Sequence, residues 1–322
     1  MTGGNRLISI RWLDRFKLYE DQSGMCSYVE RAIRKVVNGL ERSYCARLGC
    51  DALKKEKKVQ ADSVIVSLTT FPARIGYVHL AVKSILNQTV KPGKTILWLA
   101  REQFREVEIP TQLQELCAYG LEIRYCDEDL LAHKKYFYAM QEFPDKLIVT
   151  YDDDIIYPED SLEKLLMMHE QYPQAIICNR GREIAMENGS VEPYRYWKVS
   201  GRVPAGVPTY RVMASTGAGT LYPPHCMPEE TFDIEKIKML ALTADDLWMK
   251  VMSIRGGVPV VKSQTRGKAL CVSKGKQDIT LAHQNVDQSL NDRIMHDLLL
   301  SYPQTLTALQ NDKKKYEETI HL

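Results

Sequence analysis

Short apolar runs that alternate with segments of helical periodicity constrain the fold of this chain more than any other feature of its sequence. From residue 62 to residue 171, β-branched and other apolar runs alternate with stretches whose apolar residues recur every three or four positions. The predicted strands cover residues 64–68, 95–99, 121–125 and 146–151. The predicted helices cover residues 78–86, 113–119, 133–141 and 161–169. Strands and helices that alternate in this way form βαβ units, and therefore a mostly parallel α/β sheet.

Two segments depart from this alternation. The dipeptide Pro92-Gly93 is a common turn signal and predicts a turn before the second strand. Residues 186–232 are rich in proline and glycine. We expect loops and short antiparallel strands in that segment, rather than another βαβ unit.

Charge is distributed unevenly along the 322 residues. The chain carries 43 Lys and Arg against 41 Asp and Glu, and this formal net charge of +2 argues against a dedicated nucleic-acid-binding protein. Residues 1–60 carry 13 basic and 7 acidic side chains, whereas residues 61–322 carry 30 basic and 34 acidic ones. The first segment is therefore basic, and the rest of the chain is slightly acidic.

Cysteine usage and hydropathy point to one cellular environment. The eight cysteines form no CxxC pair and no cluster with histidine at zinc-ligand spacing, which argues against a zinc ribbon. The first residues lack the apolar stretch of a secretory signal, and no run reaches 18 apolar residues. These features favour a reduced, cytoplasmic protein without a membrane span.

The sequence divides into three parts. Residues 1–60 form a basic helical N-terminal extension, residues 61–300 form the α/β domain, and residues 301–322 form a polar C-terminal helix or tail. The extension contains an amphipathic basic helix, for which two interpretations stay open. It packs on the main domain with its basic side in water, or it attaches the protein to an anionic membrane surface at the inner face of the membrane.

Three adjacent carboxylates follow the fourth predicted strand. Asp152, Asp153 and Asp154 come directly after an apolar run, at the end of a strand where open α/β sheets bind ligands. Like charges repel, and an apolar strand that runs into them provides no internal neutralisation. A hard divalent cation, Mg²⁺ or Mn²⁺, would resolve that repulsion. The alternative is a solvated acidic turn at the N-terminus of the next helix.

Four segments in this order resemble those of a GT-A type glycosyltransferase. They are residues 67–75, 81–88, 134–136 and 151–158. Within that group they are similar to bacterial family 2-like enzymes of capsule, lipopolysaccharide and other surface-glycan synthesis, over roughly residues 62–295. The resemblance implies a GT-A, Rossmann-like sheet with helices on both faces. It also implies metal-dependent, inverting sugar transfer from a nucleotide-diphosphate sugar, with UDP favoured, to a saccharide or lipid-linked glycan acceptor.

The resemblance also assigns residues to the donor site. The loop after the first strand holds the base and ribose in this family, which points to Thr69, Phe71 and Arg74. Lys135 occupies a position at which related sequences place a basic residue facing the nucleotide. A comparable segment of small residues lines the sugar pocket in related enzymes, which points to Gly217 and Gly219. We therefore expect these side chains and backbone groups to meet the nucleotide sugar.

The acidic motif and a late histidine complete the implied donor site. The resemblance makes Asp154 and Asp152 metal ligands, and it places Asp152 and Asp153 near ribose or sugar hydroxyls. Some GT-A enzymes supply a late histidine as a further ligand, and His283 is the best-placed candidate here. Imidazole suits Mn²⁺ better than Mg²⁺. The expected cofactor is therefore Mn²⁺, or else Mg²⁺.

A second acidic pair, Asp245 and Asp246, resembles the acidic pair that family 2-like enzymes place near the acceptor. Inversion needs a base that takes the proton of the acceptor hydroxyl, and Asp246 matches the usual position of that base. The sequence also fits an ordinary helix N-terminus, because Thr243 precedes the two acids and an apolar run. We expect one catalytic and one capping carboxylate.

Two other enzyme classes with acidic motifs fit this sequence poorly. Phosphatases with a catalytic DxD carry it after the first core strand, and isoprenoid synthases need DDxxD on helices, so both fit poorly. Two alternatives stay open. One is a retaining glycosyltransferase on the same fold, and the other is a non-catalytic scaffold that binds a nucleotide sugar or glycan.

Overall fold

The computed structural model describes most of the α/β domain and the C-terminal helix. The described residues are 59–198, 203–264, 270–271 and 289–320, together with residues 36, 39–40, 43–49 and 53. Most of the predicted basic extension, as well as His283, lies outside the described residues. None of the described helices is both long and apolar enough to cross a membrane.

A seven-stranded sheet forms the centre of the described structure. Its strands in chain order are β1 (Val59–Thr69), β2 (Val90–Ala100), β3 (Leu121–Cys126), β4 (Leu147–Tyr151), β6 (Ile176–Cys178), β11 (Ala218–Tyr222) and β12 (Val260–Lys262). They lie side by side in the order β12-β6-β11-β4-β1-β2-β3. The block β3-β2-β1-β4 is parallel, β12 is parallel to β6, and β11 alone runs antiparallel to its two neighbours. The predicted fold class, a mostly parallel sheet, is confirmed.

Short strands occupy the segments outside this sheet. They are β5 (Ile155–Ile156), β7 (Gly181–Glu183), β8 (Met186–Glu187), β9 (Ser190–Val191), β10 (Val212–Ala214) and β13 (Leu270–Cys271). They pair antiparallel as β7 with β10, β8 with β9 and β5 with β13. Short antiparallel strands in the segment rich in proline and glycine are therefore confirmed.

Helices cover both faces of the sheet, as expected. The α-helices, numbered along the described residues, are α1 (Val78–Leu86), α2 (Thr111–Gln114), α3 (Lys134–Glu142), α4 (Ser161–Gln171), α5 (Ile234–Leu240), α6 (Asp245–Arg255), α7 (Leu290–Ser301) and α8 (Gln304–Ile320). Successive side chains of a strand point to opposite faces, so Val64 and Val66 join one core cluster while Ile65 joins the other. The first cluster includes residues of α1 and α4, and the second includes residues of α3, α6 and α7.

The predicted turn at Pro92-Gly93 is wrong. Both residues lie within β2, where Ala61 pairs with Pro92 and the register shifts before Ile65 pairs with Lys94. A Cβ atom on Gly93 would lie 2.7 Å from the carbonyl oxygen of Asp62. The glycine is therefore needed for the close approach of two strands at a bulge, and it does not mark a change of chain direction.

The order of the strands places one crevice at the centre of the sheet. From β1 the chain builds outward through β2 and β3, and it then returns to lay β4 on the opposite side of β1. Parallel strands whose connections diverge in this way leave a crevice at their carboxyl ends, and open α/β sheets bind ligands there. The segments that follow β1 and β4 therefore line the expected binding site.

Candidate active site

The loops after β1 and β4 meet at this crevice through Asp153. The buried Asp153 carboxylate accepts a hydrogen bond from the Thr70 hydroxyl, and it lies 2.6 Å from Nη1 of Arg74. Arg74 Nη1 also lies 3.1 Å from the Asp154 carboxylate. Thr70 and Arg74 follow β1, whereas Asp153 and Asp154 follow β4. These contacts therefore tie together the ends of the two strands that flank the crevice.

Lys135 joins the two predicted acidic sites. Its ammonium nitrogen lies 2.9 Å from Asp152 Oδ1 and 2.9 Å from Asp245 Oδ2, and the residue is only 3% exposed. Burial lowers the pKa of Lys135, but the carboxylates of Asp152 and Asp245 outweigh burial and raise its pKa above the ordinary value. The side chain is therefore a fixed cation between the β4 loop and the start of α6.

Cations from outside β4 partly neutralise the acidic triplet. Arg74 pairs with Asp153 and Asp154, and Lys135 pairs with Asp152. Neither cation belongs to the β4 strand, so the local sequence does not reveal them. Even so, burial and the neighbouring Asp152 raise the pKa of Asp154 to about 7. The cluster thus retains an excess of negative charge in its folded surroundings.

Thr216 holds both carboxylates of the second acidic pair. Its Oγ1 lies 2.6 Å from Asp245 Oδ2 and 2.7 Å from Asp246 Oδ1, and its N–H donates to Asp246 Oδ1 at 2.8 Å. Asp245 is buried, whereas Asp246 is half-buried. The N-cap residue of α6 is Ala244, without a side-chain capping bond. The predicted helix N-terminus is confirmed, with both carboxylates in the first turn of α6, although no side chain caps it.

The two neighbouring carboxylates differ in their electrostatics. Burial opposes the charge on Asp245, but Lys135 and the Thr216 hydroxyl lower its pKa below the ordinary value. Burial and the negative charge of Asp245 raise the pKa of Asp246 to about 7. Opposed pKa shifts in a pair of carboxyl groups are typical of sites that divide ionic and proton-transfer roles. Asp246 is therefore the member that can exchange a proton near neutral pH.

The two predicted glycines both lie where a side chain would not fit. A Cβ on Gly217 would fall 1.7 Å from Asp152 Oδ1, and the Gly217 carbonyl accepts the Asp152 N–H at 2.8 Å. Gly219 has a φ of +92°, and a Cβ there would lie 2.7 Å from Asn179 Nδ2. Gly217 thus makes room for the Asp152 carboxylate beside the crevice.

The other predicted donor residues lie on the β1 side of the crevice. The Thr69 hydroxyl donates to the Trp98 carbonyl oxygen at 2.8 Å. The Phe71 ring lies under Arg74, with 5.2 Å from the guanidinium carbon to the ring centroid. The Arg74 guanidinium is turned toward the carboxylates of the β4 loop. Contact of Thr69, Phe71 and Arg74 with a nucleotide stays a prediction.

The carboxylates present fit a hard divalent cation whose coordination shell is completed by phosphate oxygens of a substrate. Among the described residues, no group of three His, Cys, Asp or Glu side chains is arranged to hold a metal ion. Mg²⁺ in nucleotide sites is commonly held by one or two carboxylates together with phosphate oxygens. Asp152 and Asp154 are half-buried and supply such oxygens. The raised pKa of Asp154 shows that added positive charge would favour its ionised form.

Sequence reasoning missed two residues of the site and one support. Thr70 binds Asp153, Thr216 binds both members of the second pair, and the Tyr157 hydroxyl donates to the Gly217 carbonyl. Thr70 lies in a segment that resembles the family and Thr216 directly precedes Gly217, but nothing in a single sequence distinguishes a site hydroxyl from a core one. Only the folded chain brings each hydroxyl to its carboxylate.

Comparison with known proteins gives structural matches only. No protein-family model and no curated protein sequence matches the chain. The structure is similar to that of S. aureus TarS 1–349, with 12% identity and a TM-score of 0.42 over 80% of this chain and 73% of that one. It is also similar to the mannosyltransferase PcManGT from Pyrobaculum calidifontis in complex with GDP-Man and Mn²⁺. That match has 14% identity and a TM-score of 0.42 over 88% of this chain and 83% of that one.

A third similar structure is a 4-diphosphocytidyl-2C-methyl-D-erythritol synthase, at 9% identity and a TM-score of 0.36 over 71% of this chain and 99% of that one. Likeness at these values carries no conclusion about activity.

Proposed function

We propose that this chain is a glycosyltransferase that moves a sugar from a nucleotide-diphosphate sugar to a hydroxyl group of a saccharide or lipid-linked glycan, with inversion at the anomeric carbon. The observation that carries the proposal is the meeting of two acidic clusters at the crevice between β1 and β4, with Lys135 bonded to both. One cluster can hold a divalent cation against the diphosphate of the donor. The other contains a carboxyl group that can take up a proton from the acceptor.

The donor side is formed by the segments after β1 and β4. Asp152 and Asp154 would hold Mn²⁺ or Mg²⁺, with His283 as a further ligand that the sequence resemblance suggests. When bound, such a cation would stabilise the negative charge of the departing diphosphate. Arg74 adds a guanidinium 3.1 Å from Asp154, and this ion pair connects the loop after β1 to the acidic loop after β4.

Asp246 would act as the base on the acceptor side. The acceptor O–H bond breaks as its proton passes to Asp246, and the acceptor oxygen forms the new bond to the anomeric carbon. The bond between that carbon and the diphosphate oxygen breaks, and its electron pair leaves with the nucleotide. A half-buried carboxyl group with a pKa of about 7 is suited to this transfer, because it is partly ionised at neutral pH and reachable from the crevice.

Three finer parts of the proposal depend on sequence alone. A UDP donor and a role in bacterial surface-polysaccharide synthesis rest on the resemblance to family 2-like enzymes. Attachment through residues 1–60 to the inner face of an anionic membrane rests on the basic character of that segment. Flotation with anionic liposomes tests the last part, since removal of residues 1–58 should abolish co-flotation.

The experiment that tests the core of the proposal is a transfer assay across nucleotide sugars with Mn²⁺ present. We expect transfer from one donor class, its loss on chelation, and its recovery when Mn²⁺ is restored. Asp154→Asn and Asp246→Asn should each lower kcat/KM at least a hundredfold. Asp127→Asn is the matched control, because that carboxylate is 89% exposed and pairs only with Arg101 among the described residues.

Three outcomes would contradict parts of the proposal. Tight nucleotide binding without transfer, and without slow hydrolysis of the donor, would favour the binding scaffold. Undiminished transfer by Asp154→Asn in chelator would exclude the metal-dependent reaction. An NMR spectrum that shows the anomeric configuration of the donor retained in the product would exclude inversion.

A further inference from the structure

Thr216 contacts both carboxylates of the second acidic pair through one hydroxyl group. It lies in the turn between β10 and β11, it is 1% exposed, and its backbone N–H also donates to Asp246. The turn is fixed on both sides, because the Ser215 N–H donates to the Arg180 carbonyl and the Thr216 carbonyl accepts from the Thr150 hydroxyl. The hydroxyl is therefore held in place between the two acids.

The number of protons available for these hydrogen bonds limits the protonation states of the two carboxyl groups. A threonine hydroxyl has a single proton to donate, yet Oγ1 lies within 2.7 Å of a carboxylate oxygen on each side. Two ionised carboxylates cannot both receive that proton. The geometry is satisfied when the hydroxyl donates to one carboxylate and accepts from the other, which then carries a proton of its own.

Lys135 decides which carboxylate is ionised. Its ammonium group lies 2.9 Å from Asp245 Oδ2, the same oxygen that Thr216 Oγ1 approaches. Asp245 is therefore the ionised partner. Because Lys135 already contacts that oxygen, the Thr216 hydroxyl can turn and donate to Asp246 Oδ1 once Asp246 has lost its proton. Lys135 also lowers the pKa of Asp246, but burial and the charge of Asp245 outweigh it and raise that pKa to about 7.

Few other charges act on the pair. The remaining titratable groups that face it are Tyr222 on β11, Cys178 on β6, Tyr194, and His133 and Tyr136 at the start of α3. Burial raises the pKa of the tyrosines and of the cysteine, and it lowers the pKa of His133, so these groups are neutral near pH 7. Two cations, Arg180 and Arg182, lower the pKa of Tyr194, and Arg182 lies over its ring.

We propose that Thr216 is a positioning residue that divides the pair into a permanently ionised Asp245 and an Asp246 that gains and loses the catalytic proton. This inference rests on the proposed function, since it specifies how the base of that reaction is prepared. When Asp246 is ionised, the hydroxyl and the N–H of Thr216 both donate to its Oδ1, and both bonds lower its pKa and so stabilise the ionised form. They also fix the direction in which its half-buried carboxylate faces the crevice.

The test compares Thr216→Val with Thr216→Ser. Valine has nearly the same shape and keeps the backbone N–H, but it removes the hydroxyl donor, so the pKa of Asp246 should rise. In profiles of kcat/KM against pH, we expect the acidic limb of Thr216→Val to move about one pH unit upward, with about a tenfold loss below the limb and recovery above it. Thr216→Ser should reproduce the wild-type profile.

A second measurement does not depend on turnover. Carboxyl ¹³C NMR of the protein labelled with ¹³C-aspartate follows the titration of Asp246, assigned by the signal that Asp246→Asn removes. Thr216→Val should titrate at higher pH than the wild-type protein and Thr216→Ser. Thermal melts of both variants establish that each is folded before it is compared.

The outcomes separate the two proposals. If the wild-type chain shows no transfer, the proposed function fails, while the NMR titration still decides whether Thr216 sets the protonation of Asp246. If transfer occurs but Thr216→Val loses activity equally at every pH, with an unchanged NMR titration, Thr216 has a merely structural role and the inference is overturned. An unchanged profile and titration would overturn it as well.

Discussion

At the scale of single residues, buried cations and hydroxyls determine how the carboxylates of the crevice divide their roles. Asp153 and Asp245 are buried and held by neighbours, whereas Asp152, Asp154 and Asp246 remain half-buried. The locked carboxylates organise the loops through Arg74 and Lys135. The half-buried ones are those that we assign to the cation and the acceptor proton.

Gly217 provides a prediction at this scale. An added Cβ would overlap the Asp152 carboxylate, which would have to swing away from its position 2.9 Å from Lys135. We therefore expect Gly217→Ala to weaken binding of Mn²⁺-UDP by about tenfold, or about 1.4 kcal/mol, with little change in Tm. Calorimetric titration measures the affinity.

The control for that variant is Gly49→Ala, since a Cβ on Gly49 meets nothing within 4 Å. Equal nucleotide affinities for the two alanine variants would show that Asp152 does not need its observed position for binding.

At the scale of elements, the C-terminal helix α8 is part of the support for the site. Asp312 on α8 accepts hydrogen bonds from the Thr209 hydroxyl and, at 2.7 Å, from the Tyr210 N–H. The helix packs against α6, which carries Asp245 and Asp246 at its start. The sequence predicts a polar helix or tail after residue 300, because most residues of this segment are polar and only a narrow face of the helix is buried. The predicted domain boundaries themselves stay a prediction.

Leu309 tests how firmly α8 is docked. Its side chain is completely buried in the core cluster that contains residues of α6 and α7. We expect Leu309→Ala to lower the free energy of unfolding by about 2–5 kcal/mol, through lost burial and the cavity that remains. Urea denaturation measures this change.

Leu300→Ala is the matched control for Leu309→Ala, because Leu300 on α7 is 68% exposed. Its free energy of unfolding should stay within about 0.5 kcal/mol of wild type. A loss of similar small size for both variants would mean that α8 contributes little to the fold in solution.

At the scale of the whole molecule, the buried acidic site opposes folding at neutral pH. Asp246 has a pKa of about 7 in the folded chain, against an ordinary value near 4 in the unfolded chain. The folded state therefore keeps a proton that the unfolded state has released between these two pH values. The contribution of Asp246 to the free energy of unfolding therefore falls as pH rises through that interval.

The corresponding prediction concerns the difference between Asp246→Asn and the wild-type protein. His133, whose pKa is lowered by burial, acts on stability in the opposite direction in the same pH range, and it cancels in that difference. Relative to wild type, Asp246→Asn should gain about 1–3 kcal/mol of stability between pH 5 and pH 8. Urea denaturation at both pH values, in chelator, measures it.

Asp127→Asn should show no such dependence on pH relative to wild type, since Asp127 is 89% exposed. A difference between Asp246→Asn and wild type that stays constant from pH 5 to pH 8 would contradict the raised pKa of Asp246.

The sequence by itself determined the first four strands, the helices between and after them, and the end of the sheet at which the acidic loop lies. Predicted helix 78–86 has the same bounds as α1, and the acidic triplet follows β4 as expected, because periodicity and strand ends are local properties of the chain. The bulge at Gly93 escaped prediction, since it depends on how closely Asp62 approaches from another strand.

Only the tertiary structure decided which charges and hydroxyls meet. Lys135 contacts Asp152 in the loop after β4 and Asp245 at the start of α6. Arg74 pairs with the β4 loop, and Thr216 lies between the two acids of α6. Such pairs are distant in sequence, and their geometry follows from the sheet order and from helix packing. The residue types of the site could thus be read locally, whereas their protonation and partners depend on a low-dielectric environment that exists only in the folded chain.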